Sequence, residues 1–266
     1  MDQVALDTAV RWLAEAGSVV VLTGAGMSAE SGIPTFRDAE NGLWSNFDPE
    51  TLASAAAFRR DRALVWGWYV WRMARVRAAA PNAGHQALAH MQTLKPDTVI
   101  VTQNVDDLHE RAGSDPVIHL HGSLFAPRCF ACARPCHDFV IPEDAAYNPA
   151  LRLSPPRCSH CGGHVRPGVV WFGETLPKHA WKDATAHVRE CALLIVVGTS
   201  GLVQPAASLP ELARRHGARV IEINPSATGI SAFANIGLRA TAADALPALL
   251  AAPQAALAGA ATGAPS

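Results

Sequence analysis

Charge is scarce in this chain of 266 residues: Asp, Glu, Lys and Arg make up 17% of it, against roughly 25% in an ordinary soluble protein. Apolar residues make up 49%, so disorder over most of the length is not expected. The 22 Lys and Arg nearly balance 23 Asp and Glu, for a formal net charge of −1. A protein that neutralises many phosphates shows a basic excess, and none is present, so no nucleic-acid partner is expected. No apolar run approaches the ~20 residues of a membrane-spanning helix. The opening MDQVALDTAVRW has an acidic residue and no basic n-region, so a signal peptide is not expected either. These absences lead to the expectation of a soluble, cytoplasmic protein with no membrane partner, taken to be a monomer though nothing in the sequence fixes the oligomeric state.

Six cysteines are too few for a disulfide scaffold. Four of them form two pairs, Cys129-x-x-Cys132 and Cys158-x-x-Cys161, separated by 25 residues. Each pair forms a knuckle presenting two thiolates, and together they suit one closed, structural zinc site. A redox CxxC is the competing reading, and two pairs within one Pro-rich stretch speak against it. Cys136, His137, His160 and His164 are close enough in sequence to replace one ligand.

Short β-branched runs at 18–23, 98–102, 117–121, 193–197 and 219–223 read as strands. Their near-continuous apolar character suits a parallel sheet covered on both faces. Helical spacing fills 3–16, 58–79, 82–94, 105–112, 178–190 and 204–216 between them. The alternation predicts an α/β, Rossmann-like, doubly wound fold. Two stretches break the rhythm. Residues 39–94 hold four of the seven tryptophans and read as a helical insert, while 126–165 carry the paired cysteines as a zinc-ribbon insert. The Rossmann-like domain is then 1–38, 95–125 and 166–252, with the two inserts forming a smaller lobe. From Pro253 onward the composition reads as a flexible tail.

The first strand runs into Gly24-Ala25-Gly26-Met27-Ser28-Ala29, which fits the G-x-G-x-x-G/A dinucleotide fingerprint between a strand and a helix start. Glycines permit a tight turn and close approach to a pyrophosphate. A plain tight turn or an ordinary NAD dehydrogenase would also fit the motif. The residues that follow disfavour the dehydrogenase, because Gly32 and Pro34 stop the helix almost at once. The next strand, at Thr98, is also too distant for a simple crossover.

Read in order, GAGMSAESGIPTFRD (24–38), TQNVDDLHERAG (102–113), HLHGS (119–123), the paired cysteines, RPGVVWFGE (166–174), GTS (198–200) and IN (223–224) resemble the sirtuins, NAD-dependent protein-lysine deacylases. The resemblance covers roughly residues 15–245. It implies that NAD is consumed: the acyl-lysine oxygen attacks the ribose carbon bearing nicotinamide, and lysine and O-acyl-ADP-ribose are released. His121 is then similar to the family's base. Strand spacing alone does not choose between His119 and His121, which project to one face.

Asn104 and Gln103 correspond to nicotinamide-ribose contacts, and Val105 and Asp106 to the nicotinamide pocket. The Asn-Val-Asp-Asp run also suits a helix cap. Gly24, Ala25 and Gly26 fall on the phosphate side. Phe36 and Arg37 resemble the loop that screens the ribose from water. Gly198, Thr199, Ser200 and Asn224 fall on the adenosine side, Pro225, Ser226 and Ala242 join the cofactor contacts, and Val170, Phe172 and Gly173 bind substrate. Tyr69 and Arg72 share a helix face at i and i+3, similar to the pair with which class III sirtuins take malonyl, succinyl and glutaryl groups. The plain alternative is a solvated Arg on a helix that also carries Arg75 and Arg77. Besides a deacylase of acyl-lysine proteins, the same scaffold could serve a mono-ADP-ribosyltransferase or a non-catalytic NAD-sensing or zinc-ribbon protein.

Overall fold

The computed structural model describes residues 1–34, 52–136, 139–143, 145 and 152–261, and only the backbone from 252 onward. Strands β1 (Val19–Thr23), β2 (Thr98–Thr102), β3 (Val117–His119), β6 (Leu193–Val197), β7 (Arg219–Ile223) and β8 (Ile236–Leu238) form one sheet in the order β3-β2-β1-β6-β7-β8. Every pairing is parallel. The chain winds outward from β1 in one direction and from β6 in the other, so the order reverses between them. That is the switch point of a doubly wound sheet, where ligands bind at the carboxyl ends of the strands.

Alternate strand residues feed two apolar layers, as side-chain alternation demands. Val19, Val21, Ile195 and Ile221 pack with α1 (Gln3–Glu15), α4 (Ala83–Leu94) and α8 (Ala242–Ala261). Val20, Leu22, Leu194 and Val220 pack on the other face with α6 (Lys178–Glu190) and α7 (Leu209–Arg215). The 105–112 stretch shortens to α5 (Leu108–Arg111).

The expected helix over 58–79 is two helices, α2 (Ala55–Arg60) and α3 (Arg62–Ala78). Asp61 divides them: its carboxylate accepts from Leu64 N at 3.1 Å, which caps α3. These helices pack on a two-stranded antiparallel sheet of β4 (Gly122–Cys129) and β5 (Val165–Val169), which lies across the boundaries expected at 125/126 and 165/166. Their shared core is aromatic, with Phe58, Trp66, Trp68, Tyr69, Trp71 and Trp171 buried together. The strand expected to reach residue 121 stops at His119, because the chain turns through Gly122 (φ +71°) into β4. α8 runs to Ala261, through part of the stretch expected to be a tail, in keeping with the helix preference of alanine.

Candidate active site and four-cysteine centre

At the switch point the glycine-rich turn leaves β1 and meets the end of β6. Gly24 N donates to Val197 O at 3.0 Å, and Gly26 N donates to Gly198 O at 2.8 Å. The approach is close enough that a Cβ on Gly26 would stand 2.7 Å from Gly198 Cα, and Gly198 itself has φ +62°. Two single 3₁₀ turns, Ala25–Met27 and Ala29–Ser31, replace the long helix of a dehydrogenase, and Gly32 in the left-handed region ends the second. Beyond Pro34 the chain lies outside the described residues, and Phe36 and Arg37 with it.

The end of β2 supplies a polar cluster. Gln103 Nε2 donates to Thr199 Oγ1 at 3.0 Å, and Asn104 Nδ2 donates to Ser28 Oγ at 3.1 Å. Ser28 Oγ donates in turn to Asp106 Oδ2 at 3.0 Å, and Asp106 Oδ1 accepts from Leu108 N at 3.2 Å. Asp106 therefore both faces the site and caps α5. Burial pushes its carboxyl above the usual range, against the pull of those hydrogen bonds. Ser28, 1% exposed, was not among the residues singled out in the sequence, although it stands inside the glycine motif and links Asn104 to Asp106. Across the switch point Asn224 Nδ2 donates to Thr199 O at 3.0 Å.

The two histidines that spacing could not separate have different surroundings. His119 is engaged at both nitrogens, Nε2 with Glu110 Oε1 at 2.6 Å and Nδ1 with Asn104 O at 3.2 Å. Burial opposes its charging, but the Glu110 carboxylate outweighs burial and raises its pKa. Among the described residues the His121 ring makes one hydrogen bond, Nδ1 to Gln103 O at 3.0 Å, and it lines the main cleft. A carbonyl can only accept, so Nδ1 carries the proton and Nε2 keeps its lone pair. Burial lowers the His121 pKa below 6.5, against the Gln103 carbonyl, and the ring is neutral at pH 7.

These groups line one cleft of about 460 Å³, within the usual range for small-molecule sites. It gathers Gly24, Ala25, Gly26, Gln103, Asn104, Val105, Asp106 and His121 with Gly198, Thr199, Ser200, Asn224, Pro225 and Ala242. Ser226 does not line it; its carbonyl instead accepts from Arg239 at 3.3 Å. At the insert end stand Tyr69, Arg72, Val170, Phe172 and Gly173, together with Ala53, Trp171 and Glu174, which the sequence had not marked. Val170 N donates to His121 O at 2.8 Å and ties this segment to the histidine.

Tyr69 and Arg72 do reach one cavity. The Arg72 guanidinium lies 5.0 Å from the Trp68 ring and 5.6 Å from the Tyr69 ring. Burial lowers its pKa, and the neighbouring Tyr69 and Asp106 offset that shift. Among the described residues Arg72 forms no ion pair with a carboxylate. Arg72 is half-buried and lines the cleft, where the alternative reading has it on a solvated helix face.

The sulfur atoms of Cys129, Cys132, Cys158 and Cys161 all lie within 4.8 Å of one another. Cys129 and Cys161 are 3.5 Å apart, and Cys132 and Cys158 are 3.8 Å apart. A tetrahedron with Zn–S bonds near 2.3 Å has edges of about 3.8 Å, so the four thiols fit one zinc ion. Thiolates this close repel unless a cation lies between them. Of the possible substitutes, His160 Nδ1 contacts Arg134 at 3.1 Å, Cys136 Sγ points to Arg134 O at 3.6 Å, and His164 Nδ1 has no partner; among the described residues only the four cysteines cluster as a ligand set. His137 lies outside the described residues.

The fold and cleft define a dinucleotide-type site at the switch point of a doubly wound sheet, with a second, aromatic lobe closing one end. Residues 24–205 match the model of the Sir2 family. The chain is 57% identical over 216 residues to NAD-dependent protein deacylase 1 of Pseudomonas aeruginosa, covering 81% of this chain and 86% of that protein. It is 50% identical over 249 residues to the NAD-dependent protein deacylase of Corynebacterium glutamicum, covering 92% and 95%. The crystal structure of a Sir2 homolog–NAD complex superposes with a TM-score of 0.85 at 46% identity, covering 94% of each chain. The chain belongs to the Sir2 family.

Proposed function

We propose that this chain is an NAD-dependent protein deacylase that removes acyl groups from lysine side chains, with a preference for acids such as succinyl and malonyl over acetyl. The observation that carries the catalytic part is the neutral His121 ring, whose unprotonated Nε2 is available inside the cleft. NAD supplies the scissile nicotinamide–ribose bond and the ribose hydroxyls that receive the acyl group. His121 takes a proton from such a hydroxyl at Nε2, while the Gln103 carbonyl fixes its tautomer. Asn104 and Gln103 orient the ribose, Val105 and Asp106 hold the nicotinamide ring, and the glycine turn approaches the phosphates. Gly198, Thr199, Ser200, Asn224, Pro225 and Ala242 take the adenosine half; Ser226, outside the cleft, steadies that loop through Arg239. Phe36 and Arg37 screen the ribose from water.

Val170, Phe172 and Gly173 bind the substrate peptide, consistent with the exposed ring of Phe172. Arg72 and Tyr69 hold a terminal carboxylate, a reading supported by a half-buried arginine that lines the cleft with no carboxylate partner among the described residues. Cys129, Cys132, Cys158 and Cys161 hold one structural zinc ion that would fasten the end of the small lobe and add nothing to the reaction. That lobe comprises the two inserts with β4 and β5, and the remaining sheet and helices form the NAD domain. We read the protein as a cytoplasmic monomer acting on proteins, with neither nucleic acid nor membrane as partner. The balanced charge supports this, and among the described residues no helix is long and apolar enough to cross a membrane. Incubation with NAD and acetyl-, malonyl- and succinyl-lysine peptides tests the assignment: nicotinamide and O-acyl-ADP-ribose appear with all three, fastest with the acidic groups.

A further inference from the structure

Behind Tyr69, one ion pair fixes the wall of the pocket. The buried Arg166 pairs with Glu174 through both terminal nitrogens, Nη2 reaching Oε2 at 3.0 Å. Its Nε donates to Pro167 O at 3.2 Å and Nη2 also donates to Val169 O at 2.8 Å. The guanidinium carbon lies 3.4 Å from the centre of the Trp171 ring. Glu174 Oε2 accepts in addition from the Trp171 backbone N–H at 2.9 Å. Trp171, 1% exposed, is thus held at its ring face and at its backbone.

An indole has a single donor and no acceptor. Here Trp171 Nε1 donates to Tyr69 Oη at 3.0 Å. A phenol oxygen offers one hydrogen and two acceptor positions, and the indole occupies one acceptor position from behind. The hydrogen must then turn elsewhere, and Tyr69 lines the cleft beside Arg72. Burial pushes the phenol pKa up to about 12, so the hydroxyl remains a donor at neutral pH.

We propose that Trp171 is a specificity-positioning residue: its indole N–H turns the Tyr69 hydroxyl hydrogen into the cleft, toward the terminal carboxylate of an acidic acyl group. This rests on the reading of Tyr69 and Arg72 as a carboxylate anchor. An acetyl group has no carboxylate and does not sense that hydrogen.

The test measures KM and kcat for succinyl- and acetyl-lysine peptides at saturating NAD, with the native protein, Arg72→Met, Tyr69→Phe, Trp171→Phe and the Tyr69→Phe/Trp171→Phe double variant. Trp171→Phe is expected to raise KM for the succinyl peptide about fivefold relative to the acetyl peptide, the scale of one misdirected neutral hydrogen bond. In the Tyr69→Phe background the same change should move that ratio by less than about twofold. A merely structural tryptophan would impair both substrates alike, or act equally with and without the phenol, and either result overturns the proposal. If Arg72→Met is selective and Trp171→Phe is not, positioning fails while the anchor stands. If Arg72→Met impairs both substrates equally, the anchor fails and positioning falls with it. Should Trp171→Phe not fold, tryptophan is replaced throughout by its benzothiophene analogue, which keeps the ring shape without the N–H. A succinyl-to-acetyl ratio equal in labelled and unlabelled protein then overturns the proposal.

Discussion

The sheet and the small lobe hold their functional groups by different means. In the sheet, aliphatic strands buried on both faces bring Gly24, Gln103, Gly198 and Asn224 to adjacent strand ends, and the backbone sets their geometry. In the lobe, the partners are side chains: an aromatic cluster, a buried Arg166–Glu174 pair and an indole-to-phenol hydrogen bond position Tyr69 and Arg72. A backbone frame changes little when single side chains change, whereas a side-chain network responds to each substitution. Binding of a common co-substrate suits the first region, and choice among acyl groups suits the second.

The largest expected effect breaks the comparison on the sheet side. His121→Ala should lower turnover about 10³-fold on every acyl peptide, within the range typical of losing a general base. Binding of NAD, followed by calorimetry, should remain. On the lobe side, Cys161→Ser should remove the bound zinc, measured by metal analysis, and destabilise the lobe enough to abolish turnover on all acyl groups. Arg72→Met is more selective. Loss of charge-assisted hydrogen bonds worth about 1.5–3 kcal/mol should cut the succinyl-to-acetyl ratio of kcat/KM about 10- to 150-fold.

Two pH effects are smaller. In the proposed reaction His121 acts as the neutral ring, and burial lowers its pKa below 6.5. Activity should therefore be full at pH 7 and fall only as pH drops through a value below 6.5, seen as the acid limb of kcat/KM. The second concerns stability. The buried pair His85 and His109, rings 4.9 Å apart, have pKa values pushed down by burial to about 4 and about 3. Unfolded histidines bind protons from about pH 6.5 downward, so the unfolded state takes up more protons across that interval. The thermal midpoint should fall steadily between pH 6.5 and 4, less so in His109→Gln.

Strands β1, β2, β6 and β7 and helix α6 were legible because continuous β-branched runs and helical spacing repeat without interruption, whereas β3 is shorter than its run. β5 was not, since VRPGV contains proline and glycine, and β8 is only three residues, IGL. In α8 the buried Ala242, Ala245, Leu246, Leu249 and Leu250 recur at helical spacing, but Pro247 stands among them and the stretch that follows is alanine-rich without an apolar stripe, so the helix was passed over. The break at Asp61 was likewise hidden inside a helical pattern, though Asp is a common cap. At the site, the glycine turn and paired cysteines carry their chemistry in their spacing. The choice of His121 over His119 does not. It depends on Glu110 and the Asn104 carbonyl engaging one ring while the other faces the cleft. Ser28 and Trp171 were passed over because their parts come from partners 78 and 102 residues away in sequence.

The most direct test of the central claim is mass spectrometry of the products formed from NAD and a succinyl-lysine peptide. The account predicts nicotinamide, free-lysine peptide and O-succinyl-ADP-ribose in equal amounts. Reduced NAD, or a peptide carrying ADP-ribose with its succinyl group intact, would contradict it.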